Sequence, residues 1–322
     1  ILSVFLGTEV SKMLDLMEEA VVDRKMTPDE KTALKLNIGR IPEIILDNTD
    51  RNRTSPFAFT GNRFEFRAVG SSANCAPSLI ALNSAVASQL GKFKTEVDEL
   101  IDSGVKKDEA IFQVLKKLII DCKPIRFDGD GYSGDWVLEA KNRGLTNIQS
   151  VPEALGAYLT KETKKLFASL DVLSEKELEG RTEVEYEKFT MKVQIEARVL
   201  GDLAINHIVP TAVQYQTTLL ENVKNIKEVF DADEFEELAH ARKELIREIG
   251  GHISAIKAKV KQMIEARKVA NVIDDPIEKA VAYDKTVRPY LDDIRYHIDK
   301  LELTVDNELW PLPKYRELLF VR

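Results

Sequence analysis

The sequence predicts an α+β chain in which a mixed portion with short strands, up to about residue 198, is followed by an all-helical region over 199–322. Three observations predict it. Arg63-Phe64-Glu65-Phe66-Arg67 alternates strictly between charged and aromatic side chains and the run stops at Gly70, which is a strand signal. Amphipathic runs cover residues 182–229, 233–270 and 277–305, each longer than the average helix of about 11–12 residues. Between residues 152 and 306 glycine is confined to Gly156, Gly180, Gly201, Gly250 and Gly251, so little interrupts these runs.

In chain order, the apolar run of residues 1–7 reads as a buried strand, so the chain is expected to open inside a domain whose first half is absent. Val10, Met13, Leu14, Met17 and Val21 recur at helical spacing over 8–22, with Thr8 available as the N-cap. Thr27-Pro28-Asp29-Glu30 is a capping box with proline at the first helical position, and it opens a helix ending near Gly39. A short apolar segment (41–46) and a polar loop (47–56) lead to the alternating strand. Helices are then expected over 77–92 and 107–122. Ser133 is placed to cap a helix running to Arg143-Gly144, and Ser150-Val151-Pro152-Glu153 forms a second capping box. The long runs after residue 182 are expected to pack as an antiparallel bundle or hairpin. Trp310-Pro311-Leu312-Pro313 is expected to anchor the tail or, in an oligomer, to serve as an interface.

Bulk properties narrow the function classes. The 322 residues are 44% hydrophobic and 31% charged, an ordinary balance for a globular protein. A net charge of −8 disfavours sequence-independent nucleic-acid binding, which depends on many phosphate-neutralising cations. The sequence has no apolar stretch of about 18 residues, so no membrane partner is expected. Cys75 and Cys122 fit neither a disulfide framework nor a zinc site, and a reducing cytoplasm is the simplest location.

The chemistry is concentrated in residues 52–67. On the alternating strand, Arg63, Glu65 and Arg67 share one face while Phe64 and Phe66 share the other, which is expected to seek a core. A carboxylate can bind a hard divalent cation, and guanidinium groups clamp phosphate or a substrate carboxylate in a bidentate fork. One face thus holds parts of a metal-assisted phosphoryl-transfer site. The alternative is an Arg–Glu–Arg ladder on a solvated strand, which would do no chemistry. Asn52, Arg53, Thr54 and Ser55 add anion-binding groups just upstream.

Asn52-Arg53-Thr54 followed by Arg63-Phe64-Glu65-Phe66-Arg67 resembles the Asn-Arg-Ser/Thr and Arg-x-Glu-x-Arg elements of glutamine synthetases. The run from Asn52 to Ser71 and the motif Arg126-Phe127-Asp128-Gly129-Asp130-Gly131-Tyr132-Ser133 look like the type III class of that family, and the likeness continues through Pro152-Glu153-Ala154-Leu155 and residues 192–196. The resemblance implies that residues 1–198 are the C-terminal part of a glutamine synthetase catalytic domain, followed by a long-helix region over 199–322. It implies an ATP-dependent ligase joining glutamate and ammonia through a γ-glutamyl phosphate, with Mg2+ or Mn2+, in a dodecamer of two hexameric rings. By position, Glu65 resembles the carboxylate on the cation that accompanies the ATP phosphates. Arg67 resembles the arginine holding glutamate and the transferring phosphoryl group, and Arg53 resembles the one stabilising that group beside the nucleotide. Arg63 falls next to the nucleotide.

The sequence departs from the family pattern in two places. Shorter-chain members have a second arginine five residues beyond the Asn-Arg pair, where this chain has Phe57-Ala58-Phe59. Nothing matches the family's remaining metal-binding glutamates, its metal-binding histidine or its acidic flap, which precede the Asn-Arg element. His207, His240, His252 and His297 all lie in the helical tail. The chain by itself is therefore expected to be inactive. A non-catalytic helical scaffold, or another carboxylate–amine ligase of the same superfamily, are the competing readings. Asp128-Gly129-Asp130-Gly131-Tyr132 superficially suggests a calcium loop, but Tyr132 and Ser133 stand where that motif wants Asp/Asn and Gly, so a tight turn placing Tyr132 at an active-site rim is expected instead.

Overall fold

A computed structural model of the chain describes residues 1–19, 54–61, 63–67 and 73–319. The helix expected near 27–39, the segment 41–46, and the loop residues 47–53, which include Asn52 and Arg53, lie outside the described residues. The fold is mostly helical with one small sheet, and the chain forms two compact units, Ile1–Gln149 with Lys165–Leu173 and Ser150–Lys164 with Ser174–Arg322. The division expected at residue 198 falls inside a continuous helix, Glu175–Leu203.

In the first unit, β1 (Val4–Phe5) leads through Gly7 into helix α1 (Thr8–Glu19). Gly7 has φ of 85°, a left-handed conformation that glycine adopts without strain. Strands β2 (Phe57–Phe59) and β3 (Phe64–Phe66) form an antiparallel hairpin, and β1 runs parallel to β2, giving the order β1-β2-β3. Helix α2 (Ala76–Asp102) folds back on α3 (Lys107–Asp121) around Val97, Ala110 and Val114. The α2 helix is longer than expected. Gly91 weakens a helix interior by about 1 kcal/mol. Beyond it, however, Phe93, Val97, Leu100 and Ile101 all pack on the α3 cluster, and that burial carries the helix onward. It ends where Gly104, at φ of 96°, lets the amide of Val105 reach the carbonyl of Leu100. As expected, the Ser133 hydroxyl accepts from the Trp136 amide and starts α4 (Gly134–Asn142).

Next come α5 (Val151–Leu155) and α6 (Lys161–Ser169). The second unit is built on α7 (Glu175–Leu203), α8 (Val209–Val229), α9 (Ala232–Asn271), α10 (Pro276–Ala282) and α11 (Pro289–Thr304). Their starts follow from local chemistry: Ser174 and Glu177 form a reciprocal capping box, Asp231 accepts from the amides of Asp233 and Glu234, and Asp275 accepts from that of Glu278. The Ser150 box forms only in part. Its hydroxyl accepts from the Glu153 amide and donates to Asp284. The core joins Val193, Ala197 and Ile208 to Ile249 and Ile256, and then to Ile294 and Leu301. Each fully buried Ile or Leu contributes roughly 1.5–3 kcal/mol. Trp310 joins this core, so it anchors the tail as expected.

Two π-turns interrupt the helices, Ala204–Ile208 before α8 and Tyr283–Val287 before α11. Each leads into a proline, Pro210 or Pro289, in the first turn of the next helix. Proline has no N–H and its ring crowds the carbonyl one turn back, and widening that turn relieves both problems without breaking the axis.

Candidate active site

The hairpin register follows from the alternation in the sequence. Phe57 pairs with Phe66, Ala58 with Glu65, and Phe59 with Phe64. Its turn is closed by the Thr60 amide donating to the Arg63 carbonyl at 2.8 Å, with Gly61 at φ of 97°. On the far side of β3 the Arg67 amide donates to the Pro56 carbonyl, which extends the pairing by one residue. Side chains alternate along this strand, so Arg63, Glu65 and Arg67 fall on one face.

Two of the three meet directly, with Arg67 Nη2 3.1 Å from Glu65 Oε2. The Glu65 side chain is 45% exposed and that of Arg67 28%. In such a setting an ion pair is worth only about 0–1 kcal/mol, so the pairing holds both groups in place without locking them. Arg63 is exposed at the start of the strand. Arg53 lies outside the described residues, so its place relative to Glu65 is not described.

The aromatic face behaves differently from expectation. Phe64 remains 45% exposed and stacks on Phe57 with ring centroids 4.7 Å apart, while Phe59 tilts against it at 5.3 Å. The reason is position: among the described residues β3 is an edge strand of a three-stranded sheet, so its rings pack on one another along the hairpin.

Buried hydroxyls hold the hairpin base to the start of the chain. Ser3 donates to Ser55 at 2.8 Å, and Ser55 donates to the Phe127 carbonyl. The Arg126–Ser133 motif fixes this base. The Phe127 amide donates to the Val4 carbonyl. Asp128 Oδ1 accepts from the amides of Leu6 and Gly7, each at 3.2 Å, and its Oδ2 accepts from the Ser11 hydroxyl at 2.7 Å. Asp128 thus stands at the positive N-terminal end of α1. Arg126 pairs with Asp15, and Phe127 stacks on Trp136 beneath the Arg143 guanidinium. Sequence reading missed this role of Asp128 because its partners lie 117–122 residues away, and no local periodicity reports such a contact. Tyr132 is 79% exposed.

Among the described residues, no group of three or more His, Cys, Asp or Glu side chains is placed to hold a metal ion, and no helix is long and apolar enough to cross a membrane. Glu65 is a carboxylate with solvent access, which suits Mg2+, an ion that commonly takes one or two carboxylates and completes its shell with waters and substrate phosphates.

Residues 110–227 match the family model described as the glutamine synthetase C-terminal domain. The chain is 61% identical over its whole length to a glutamine synthetase of Bacteroides fragilis (strain YCH46), and 34% identical over its whole length to a type-3 glutamine synthetase of Dictyostelium discoideum. A glutamine synthetase of Butyrivibrio fibrisolvens is 26% identical over 99% of the chain. The chain spans less than half the length of these relatives, 44%, 43% and 44% respectively. A match along the whole of this chain to part of a type-3 member, and a C-terminal-domain match within it, make the chain similar to a portion of glutamine synthetases.

Proposed function

We propose that the full-length protein carrying this chain is a glutamate–ammonia ligase, and that the β2–β3 hairpin supplies part of its phosphoryl-transfer site. The observation that carries the proposal is the juxtaposition of Glu65 and Arg67 on the exposed face of β3, at 3.1 Å, with Arg63 on the same face. The overall reaction transfers the γ-phosphoryl group of ATP to the side-chain carboxylate of glutamate. Ammonia then attacks the acyl phosphate, the C–O bond breaks, and phosphate leaves as glutamine forms. Negative charge accumulates on the phosphoryl oxygens along this path, and preorganised cations stabilise it.

In this reading Arg67 holds the glutamate carboxylate and the phosphoryl oxygens through its planar fork. Arg53 contributes a second guanidinium to the phosphoryl group and the nucleotide, and Arg63 stands beside the nucleotide. Glu65 would hold Mg2+ or Mn2+, which supplies charge neutralisation at the ATP phosphates when bound. Before substrate arrives, Glu65 orients Arg67. The remaining ligands and the water-excluding elements belong to the longer protein, so the chain alone is inactive in this reading. Residues 1–198 form the C-terminal part of the catalytic domain and residues 199–322 a helical region serving assembly or regulation. The working enzyme is a cytoplasmic dodecamer of two hexameric rings.

The test is ATP- and Mg2+-dependent glutamine formation by the full-length protein and its Glu65→Ala variant. Wild-type activity with a loss of about 10²–10⁴ in the variant is expected. Activity that survives in the variant removes Glu65 from the site, and an inactive intact protein overturns the ligase reading. Replacing ammonia by alkylamines separates this ligase from a carboxylate–amine ligase of other acceptor specificity.

A further inference from the structure

Two histidines face each other across a helix interface in the second unit. Helix α9 carries His252 between the buried Ile249 and Ile256, and α11 carries His297 between the buried Ile294 and Ile298. These apolar neighbours fix the two helices, and Lys259 of α9 ties them further by pairing with Asp293 of α11 at 2.6 Å. The rings meet Nδ1 to Nδ1 at 2.9 Å, with their planes 56° apart. The His252 side chain is 16% exposed, so the pair sits at the solvent edge of the interface and not inside the core.

That separation matches a metal's bite. Two metal–nitrogen bonds of about 2.0–2.1 Å at a right angle hold their nitrogens about 2.8–3.0 Å apart, whereas a tetrahedral angle needs about 3.3–3.4 Å. Imidazole nitrogens at 2.9 Å therefore suit adjacent corners of a square-planar or tetragonal ion, the preference of Cu2+ and Ni2+, better than a tetrahedral Zn2+.

The surroundings favour a cation. Glu248 Oε1 lies 3.9 Å from His252 Nε2, and Asp293 stands one turn before His297. These two carboxylates outweigh the single ammonium of Lys259, while Tyr296 packs edge-on against His297. Burial holds the His297 pKa below its ordinary 6.5, which keeps that ring neutral, the form that binds metals. In the bound form both rings carry their proton on Nε2. The ring that donates in the metal-free pair therefore moves its proton from Nδ1 to Nε2 through solvent, with no net release. For His252 that nitrogen faces Glu248, a carboxylate placed to attract the N–H and favour this tautomer.

We propose that His252 and His297 form a two-histidine site for a divalent late transition metal, Ni2+ or Cu2+. The rings turn so that both Nδ1 lone pairs aim to one side of the line joining them, and waters complete the shell. A bound ion cross-links α9 to α11. The inference rests on the helical unit alone and stands or falls independently of the ligase reading.

The test titrates the untagged full-length protein with Ni2+ by calorimetry at about pH 7.5, in saturating Mg2+ so that oxygen-rich sites are filled. Wild type is expected to bind one more Ni2+ per chain than either His252→Gln or His297→Gln, with a dissociation constant on the order of 10 μM. Affinity for that ion is expected to fall at least about tenfold at about pH 5.5, where protons compete for the imidazoles. Circular dichroism checks that the variants fold. Electron paramagnetic resonance of Cu2+-loaded wild type needs no variant, and splitting by two nitrogen donors is expected. Wild type that binds no Ni2+ at about 1 mM, variants that both keep the full stoichiometry and affinity, or a Cu2+ signal without two nitrogen donors would each overturn the proposal.

Discussion

His252 on α9 and His297 on α11 meet Nδ1 to Nδ1 at 2.9 Å. One ring must donate while the other accepts, so the contact requires at least one neutral imidazole. Burial, then the neighbouring His252 and Lys259, hold the His297 pKa below its ordinary 6.5, against a weaker pull upward from Asp293. Glu248 lies 3.9 Å from His252, Lys259 is itself paired to Asp293, and Tyr296 sits edge-on to His297. A histidine with a lowered folded-state pKa binds its proton more readily in the unfolded chain. Its penalty is therefore absent above the unfolded value, grows as pH falls through about 6.5, and is complete below the folded value. Urea midpoints measured at about pH 7.5 and 5.5 should fall more steeply for wild type than for His297→Gln. Parallel falls would show that the pair does not contribute to acid sensitivity.

The elements owe much of their placement to single polar side chains at their ends. Asp128 bridges the entry of α1 to a motif more than a hundred residues later, and Asp128→Ala would leave two amides and the Ser11 hydroxyl without that acceptor. Destabilisation of about 1–3 kcal/mol is expected by urea unfolding, with partial recovery in Asp128→Asn. A change under about 0.5 kcal/mol would mean that water replaces the carboxylate. The helix start at Ser133 was legible in the sequence because caps act over three or four residues, whereas the turns before Pro210 and Pro289 fall inside runs that the sequence presents as continuous. Also legible was the face shared by Arg63, Glu65 and Arg67, since a strand's period is two. The extent of α2 was not legible, because its continuation past Gly91 depends on packing against α3. The burial of the Phe64 face was not legible either, because whether a strand is central or at an edge is a property of the sheet.

Across the whole molecule, apolar burial is unevenly distributed. The second unit concentrates fully buried side chains such as Ile249, Ile256 and Ile294, whereas Leu79, Ile80, Val86 and Leu90 of α2 remain exposed. Ile256→Ala should therefore cost about 2–5 kcal/mol by urea unfolding, and Leu79→Ala less than about 0.5. A comparable loss at both positions would show that the α2 face is covered in the full-length protein. Light scattering of that protein tests the proposed twelve-subunit assembly, with a monomer or dimer mass overturning it. The turn at Ala204–Ile208 adds a further consequence, since a helix rotates about 100° per residue and this turn winds more slowly. It works as a phase shifter: buried positions Ala204, Ile208 and Ala212 keep pointing at the core at four-residue intervals that an ideal helix would drift away from. Removing one residue there would restore a regular helix with α8 in its present phase, whereas winding the same five residues as α-helix would turn every side chain of α8 by roughly a quarter of a revolution.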